Sequence, residues 1–106
     1  IVPGIMTPTE INLALNKGLE VVKFFPAEIA GGVKALKAIG SPYGSVRFMP
    51  TGGVNPANLP DYLALSNVVA CGGSWMVKKE LINGKRFDEI TRLAQAGVDI
   101  VAQVRG

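Results

Sequence analysis

Val21-Val22-Lys23-Phe24-Phe25-Pro26 is a short apolar run that carries one lysine and ends in a proline. A run of this length with two valines and two phenylalanines reads as a strand, at about residues 20–25, buried on both faces in a parallel sheet. An ammonium is costly to take out of water, so burial would favour the neutral amine. A neutral amine is a nucleophile that can attack a carbonyl and form a Schiff base. The plainer alternative is a lysine that reaches past the strand end or pairs with a carboxylate. Alternation puts Val21, Lys23 and Phe25 on one face and Val22 and Phe24 on the other. Phe25 would then wall the amine off from water. Glu28, just beyond the strand, reads as a loop carboxylate that shapes the mouth of a site.

Working outward, the neighbouring segments alternate in type. Ile1-Val2-Pro3-Gly4 reads as a strand end. Thr7-Pro8-Thr9-Glu10 is a capping box with proline at the first helical position; Ile11 and Leu15 share a face, and Gly18 stops the helix. Gly31-Gly32 opens a second helix with Val33, Leu36 and Ile39 on one side. Val46-Arg47-Phe48-Met49 is a strand ended by Pro50. A helix over about 58–65 takes Asn58 as its N-cap, since Pro60 cannot lie deep inside it. Asn67 to Cys71 reads as a fourth strand, and Asn83-Gly84 as a turn. A last helix from about Phe87 to Val104 has Phe87, Ile90, Leu93, Val101 and Val104 as its inner stripe.

Strand and helix thus alternate four times, which implies parallel βαβ units of right-handed crossover. The fold class is α/β. Four units are half of an eightfold (β/α)8 barrel, the TIM barrel, which typically needs about 250 residues; this chain has 106. Residues 1–106 therefore read as one half of a single barrel domain, with strands five to eight and their helices. An open doubly wound sheet is the alternative, but no G-x-G-x-x-G or P-loop follows any strand.

Composition removes several chemistries. The chain has no histidine, so Ser-His and Cys-His pairs and His-containing zinc sites cannot be built from it. Cys71 is the only cysteine, which excludes an internal disulfide and predicts a reducing, cytoplasmic setting. The net charge of +3 is spread in ones and twos, with no basic run interleaved with aromatics to suggest nucleic acid. No apolar stretch approaches membrane-spanning length, and no signal peptide is visible.

Two strand ends carry paired glycines with a hydroxyl beside each: Thr51-Gly52-Gly53 and Gly72-Gly73-Ser74. In the second half of a barrel these turns would follow strands seven and eight, where barrels commonly hold a phosphate. Glycine lets the backbone approach an anion and point its amides at it. Ser74 would add a hydroxyl and begin a short helix over Trp75–Val77. The plainer reading of each turn is a glycine-rich bend without a ligand. Ser74 lacks a base to make it a nucleophile, and Cys71 reads as a small apolar residue rather than a reactive thiol.

With these residues in hand, the chain resembles the carboxyl-terminal half of the 2-keto-3-deoxy-6-phosphogluconate aldolase family, whose members often also act as 4-hydroxy-2-oxoglutarate aldolase. The matching segments are Lys23-Phe24-Phe25-Pro26-Ala27-Glu28, Gly31-Gly32-Val33-Lys34-Ala35-Leu36, Arg47-Phe48-Met49-Pro50-Thr51-Gly52-Gly53-Val54, Asp61-Tyr62-Leu63-Ala64-Leu65 and Gly72-Gly73-Ser74-Trp75. The resemblance implies that Lys23 is the Schiff-base lysine and that Phe25 and Thr51 line the substrate site. It implies that Gly52, Gly53, Gly73 and Ser74 hold the phosphate. It further implies a metal-free enzyme without cofactor, cytoplasmic and homotrimeric, that cleaves the six-carbon keto-acid phosphate to pyruvate and glyceraldehyde 3-phosphate in the Entner–Doudoroff route. The family's general-base glutamate, its carboxylate-binding arginine and an inward threonine belong to the first half of the barrel and have no counterpart here. A chain without that base is expected to be severely impaired alone. Rival expectations are a phosphate-binding epimerase or synthase that works without covalent catalysis, and a half-barrel that only assembles with a partner.

Overall fold

The computed structural model describes all 106 residues. Thr7 caps helix α1 (Pro8–Asn16) as its sequence demands: its hydroxyl accepts from the Glu10 amide, and the Glu10 carboxylate accepts from the Thr7 amide at 3.0 Å. At the other end Gly18 is left-handed at φ 74°, with its N–H bonded to Leu15 O and the Leu19 N–H to Ala14 O. These two bonds close the helix as a Schellman motif. The chain then enters strand β2 (Val21–Phe24), which lies between β1 (Gly4–Ile5) and β3 (Arg47–Pro50) in a parallel sheet of order β1-β2-β3. β1 begins only at Gly4, the last residue of the expected strand end; Pro3 before it contributes a carbonyl to Lys23 N but has no N–H of its own. Helix α2 (Gly32–Gly40) joins β2 to β3, and α3 (Leu59–Leu63) follows β3.

The core lies on one side of the sheet. Ile5, Val22, Phe24, Phe48 and Val68 pack with Ile11 and Ala14 of α1, Leu36 of α2 and Leu59, Tyr62 and Leu63 of α3 in one cluster. The opposite face is open. Val21 and Phe25 are 38% and 47% exposed, and Lys23 is half-buried. The expectation of burial on both faces is therefore corrected: all three crossover helices return to the same side, and nothing in these residues covers the other.

The expected strand at 67–71 is present only as two isolated parallel bridges, Phe48 with Val68 and Thr51 with Gly72. Between these positions β3 advances three residues and the partner segment four. The extra residue breaks the ladder as a bulge does. After it come a 3-10 turn at Trp75–Val77, an unexpected short helix α4 (Lys79–Asn83) that leads into the expected turn at Gly84, and α5 (Phe87–Arg105).

The stripe expected on α5 is rotated. Gly97 is the buried residue of that helix, while Phe87, Val101 and Val104 are 59%, 40% and 37% exposed. α5 packs on α3, α4 and the 3-10 turn rather than flat on the sheet. A Cβ at Gly97 would lie 3.6 Å from the Trp75 ring, so the helix approaches the tryptophan at its smallest residue. No helix is long and apolar enough to cross a membrane.

Candidate active site

Lys23 occupies the middle of the central strand, with Gly4 beside it on β1 and Met49 on β3. Alternation places Lys23, Phe25, Met49 and Thr51 on the open face. A side chain at Gly4 would meet nothing within 4 Å, so that flank of Lys23 is free. On the strand itself Lys23 Nζ stands 4.5 Å from the centroid of the Phe25 ring, a distance at which a ring face attracts an ammonium. Phe25 thus adjoins the amine as expected, and none of these 106 residues covers the face on which both stand.

Thr51 follows β3 on that same face; its hydroxyl donates to Met49 O at 3.4 Å, and its backbone bridges to Gly72. The two glycine turns are therefore side by side. Gly52 and Gly53 both take positive φ, 101° and 77°. Neither of their N–H groups has an acceptor within the chain, and the same holds for Gly73 and Ser74. Free amides on two adjoining glycine turns are groups of the kind that can receive an anion.

Each glycine also has a packing reason. A Cβ at Gly52 would press on the Pro26–Ala27 backbone, and one at Gly53 would lie 2.6 Å from Glu28 Cγ. One at Gly72 would meet the Thr51 hydroxyl at 2.8 Å, and Gly73 lies directly under the Trp75 ring. Ser74 is exposed and precedes the 3-10 turn without a side-chain capping bond.

Three residues form a network that sequence reasoning missed. Glu28 Oε2 accepts from the Tyr62 hydroxyl at 2.7 Å, and Glu28 Oε1 accepts from Asn58 Nδ2 at 2.8 Å. Asn58 Nδ2 also donates to Gly53 O at 3.0 Å, and Asn58 Oδ1 accepts from the Asn55 amide. Asn58 holds the N-cap position of α3 as expected, but its side chain makes no capping bond, because it is spent on Glu28, Gly53 and Asn55. Tyr62 is fully buried, and burial, with the Glu28 carboxylate beside it, raises its pKa well above the phenol range. Burial likewise pushes the Cys71 thiol up to about 11, so it is protonated at neutral pH, as befits a small packing residue.

The KDPG and KHG aldolase family model matches residues 1–93. The chain is 52% identical over 101 residues to the 2-dehydro-3-deoxy-phosphogluconate aldolase of Haemophilus influenzae, covering 95% of this chain and 48% of that protein. It is 50% identical over 99 residues to the KHG/KDPG aldolase of Escherichia coli, covering 93% of this chain and 46% of that protein. Among solved structures, the KDPG aldolase of Legionella pneumophila, captured with pyruvate as a covalent carbinolamine intermediate, superposes with a TM-score of 0.83 at 40% identity. That match covers 95% of this chain and 46% of that one. The chain spans about half the length of the relatives it matches.

Proposed function

The chain belongs to the KDPG and KHG aldolase family, and on that premise we propose that it supplies the nucleophile and the phosphate-holding turns of a class I aldolase acting on 2-keto-3-deoxy-6-phosphogluconate. The observation that carries this reading is the position of Lys23: mid-strand, on the face away from the helices, beside the empty flank at Gly4. The Legionella relative's covalent pyruvate adduct supports the same chemistry here.

The Lys23 amine adds to the C2 ketone, and loss of water leaves an iminium. The C3–C4 bond then breaks. Its electron pair moves into the iminium to give an enamine, and the C4 hydroxyl proton passes to a base as glyceraldehyde 3-phosphate leaves. Protonation of the enamine at C3 and attack of water on the iminium release pyruvate and restore the amine. Thr51 would bound the keto-acid end, with Phe25 as its apolar wall. The amides of Gly52, Gly53, Gly73 and the Ser74 group would hold the phosphate, so that binding energy far from the reacting carbons aligns them.

The base that takes the C4 proton comes from outside these residues. Glu28 is unsuited to it, since both of its oxygens are already engaged. This need for a base, the open sheet face and the half-length match support the reading that residues 1–106 are the second half of a (β/α)8 barrel, with Lys23 facing its interior. A homotrimer in the cytoplasm is part of the same reading.

Borohydride reduction in the presence of pyruvate, followed by peptide mass analysis, tests it. The expected result is a pyruvate-derived adduct on Lys23. An unmodified Lys23 with phosphate binding retained would overturn the covalent mechanism and favour an epimerase or synthase.

A further inference from the structure

We propose that Glu28 is a positioning residue: through Asn58 it holds the Gly52–Gly53 turn so that three successive backbone amides face the phosphate. The proposal rests on reading that turn as the phosphate holder. Three consecutive carbonyls of the turn are tied to one side. Ala27 N donates to Thr51 O at 2.8 Å, Glu28 N to Gly52 O at 3.1 Å, and Asn58 Nδ2 to Gly53 O at 3.0 Å. In a trans peptide the C=O of one residue and the N–H of the next point in opposite directions. The N–H groups of Gly52 and Gly53 must therefore point away from the 27–28 loop, and that of Val54 away from Asn58; none of the three has an acceptor in the chain.

Glu28 controls the third of these carbonyls. Its Oε1 accepts from the same Asn58 Nδ2 that holds Gly53 O, and its Oε2 is fixed by the fully buried Tyr62 hydroxyl. Its methylenes also fill the space beside Gly53, where a Cβ would lie 2.6 Å from Glu28 Cγ. Without the carboxylate, Asn58 loses one of two acceptors, and the Gly53 peptide is free to rotate about glycine torsions that resist little.

The test is a titration of the protein with inorganic phosphate, followed by the amide NMR signals of Gly52, Gly53 and Val54. In the unaltered protein all three signals should move together and saturate. Glu28→Ala should weaken phosphate about tenfold, the loss expected for one misplaced hydrogen bond to a charged ligand. Glu28→Gln retains an acceptor for Asn58 and should restore most of the affinity, a rescue that a loss of fold stability would not follow. Should Glu28→Ala fail to fold, Asn58→Ala removes the same tie on Gly53 O and should show the same loss. Unchanged phosphate affinity in whichever of these variants is folded, or phosphate that moves none of the three amides, would overturn the proposal. Failure of pyruvate trapping at Lys23 would overturn the aldolase reading but leave this titration intact.

Discussion

Arg105 grips the backbone carbonyl of Leu63 with two nitrogens, Nε at 3.0 Å and Nη2 at 2.9 Å, across forty-two residues of chain. The same Nη2 also donates to Leu65 O and, at 2.6 Å, to Val68 O. The guanidinium thereby satisfies carbonyls at the end of α3 and in the segment that bridges to β3, and it anchors the last turn of α5.

Arg105→Ala should therefore destabilise the chain by about 1–3 kcal/mol, the range for hydrogen bonds to a charged group. Arg105→Lys should recover little, because an ammonium cannot reproduce the planar fork on one carbonyl. Urea denaturation of the two variants measures both effects.

Lys23→Arg should abolish pyruvate trapping, since a guanidinium stays protonated and cannot add to a ketone. The Lys23 side chain stands on the open face and makes no hydrogen bond or ion pair, so stability should change by no more than about 0.5 kcal/mol. Mass analysis after borohydride and a denaturation curve on the same sample separate the two.

Two glycine substitutions should behave oppositely. Gly53→Ala forces an L-residue to φ 77° and drives its Cβ to within 2.6 Å of Glu28 Cγ. It should cost about 1–3 kcal/mol. Gly4→Ala meets nothing within 4 Å and should leave stability nearly unchanged. Its methyl would instead narrow the free flank of Lys23, so slower pyruvate trapping with an unaltered denaturation midpoint is the expected pair of results.

The Tyr62 phenol has a raised pKa in the folded chain, through burial and the Glu28 carboxylate. Above about pH 10 the unfolded chain loses this proton while the folded chain keeps it, so stability should be flat below that pH and fall as pH rises beyond it. Tyr62→Phe should remove this contribution to the slope. Glu28→Ala should be the costlier change at neutral pH, about 1–3 kcal/mol, because it strands a buried hydroxyl, whereas Tyr62→Phe leaves a carboxylate that water can reach. Denaturation midpoints of the three proteins across alkaline pH test both statements.

Cys71, with its thiol pushed up to about 11 by burial, should alkylate slowly at neutral pH and faster as the pH is raised toward that value. Iodoacetamide labelling followed by intact mass gives the rate. Fast labelling at neutral pH would contradict this.

Much of the local architecture could be read in advance. The Thr7–Glu10 capping box, the Gly18 stop, the Gly31-Gly32 opening of α2 and the strands around Val22 and Phe48 act through neighbours within a few residues, and all appear. The segment at 67–71 did not become a full strand, because its extra residue shows only against β3. The buried side of α5 departs from the stripe its apolar residues suggest, because the helix docks on Trp75, not on the sheet. Glu28 and Tyr62 lie thirty-four residues apart, and no spacing rule joins them.

The amino-acid order by itself determined that strands and helices alternate, that Lys23 and Phe25 share a face opposite Val22 and Phe24, and that paired glycines end two strand segments. Those outcomes depend on torsions and side-chain periods that operate over one turn or one pleat. Only the tertiary structure decided which face the helices cover, that the Lys23 face stays open, and that Glu28 is spent on Asn58 and Tyr62 rather than free to move a proton. Each of these follows from where distant segments meet, which is set by how the whole chain buries its apolar surface.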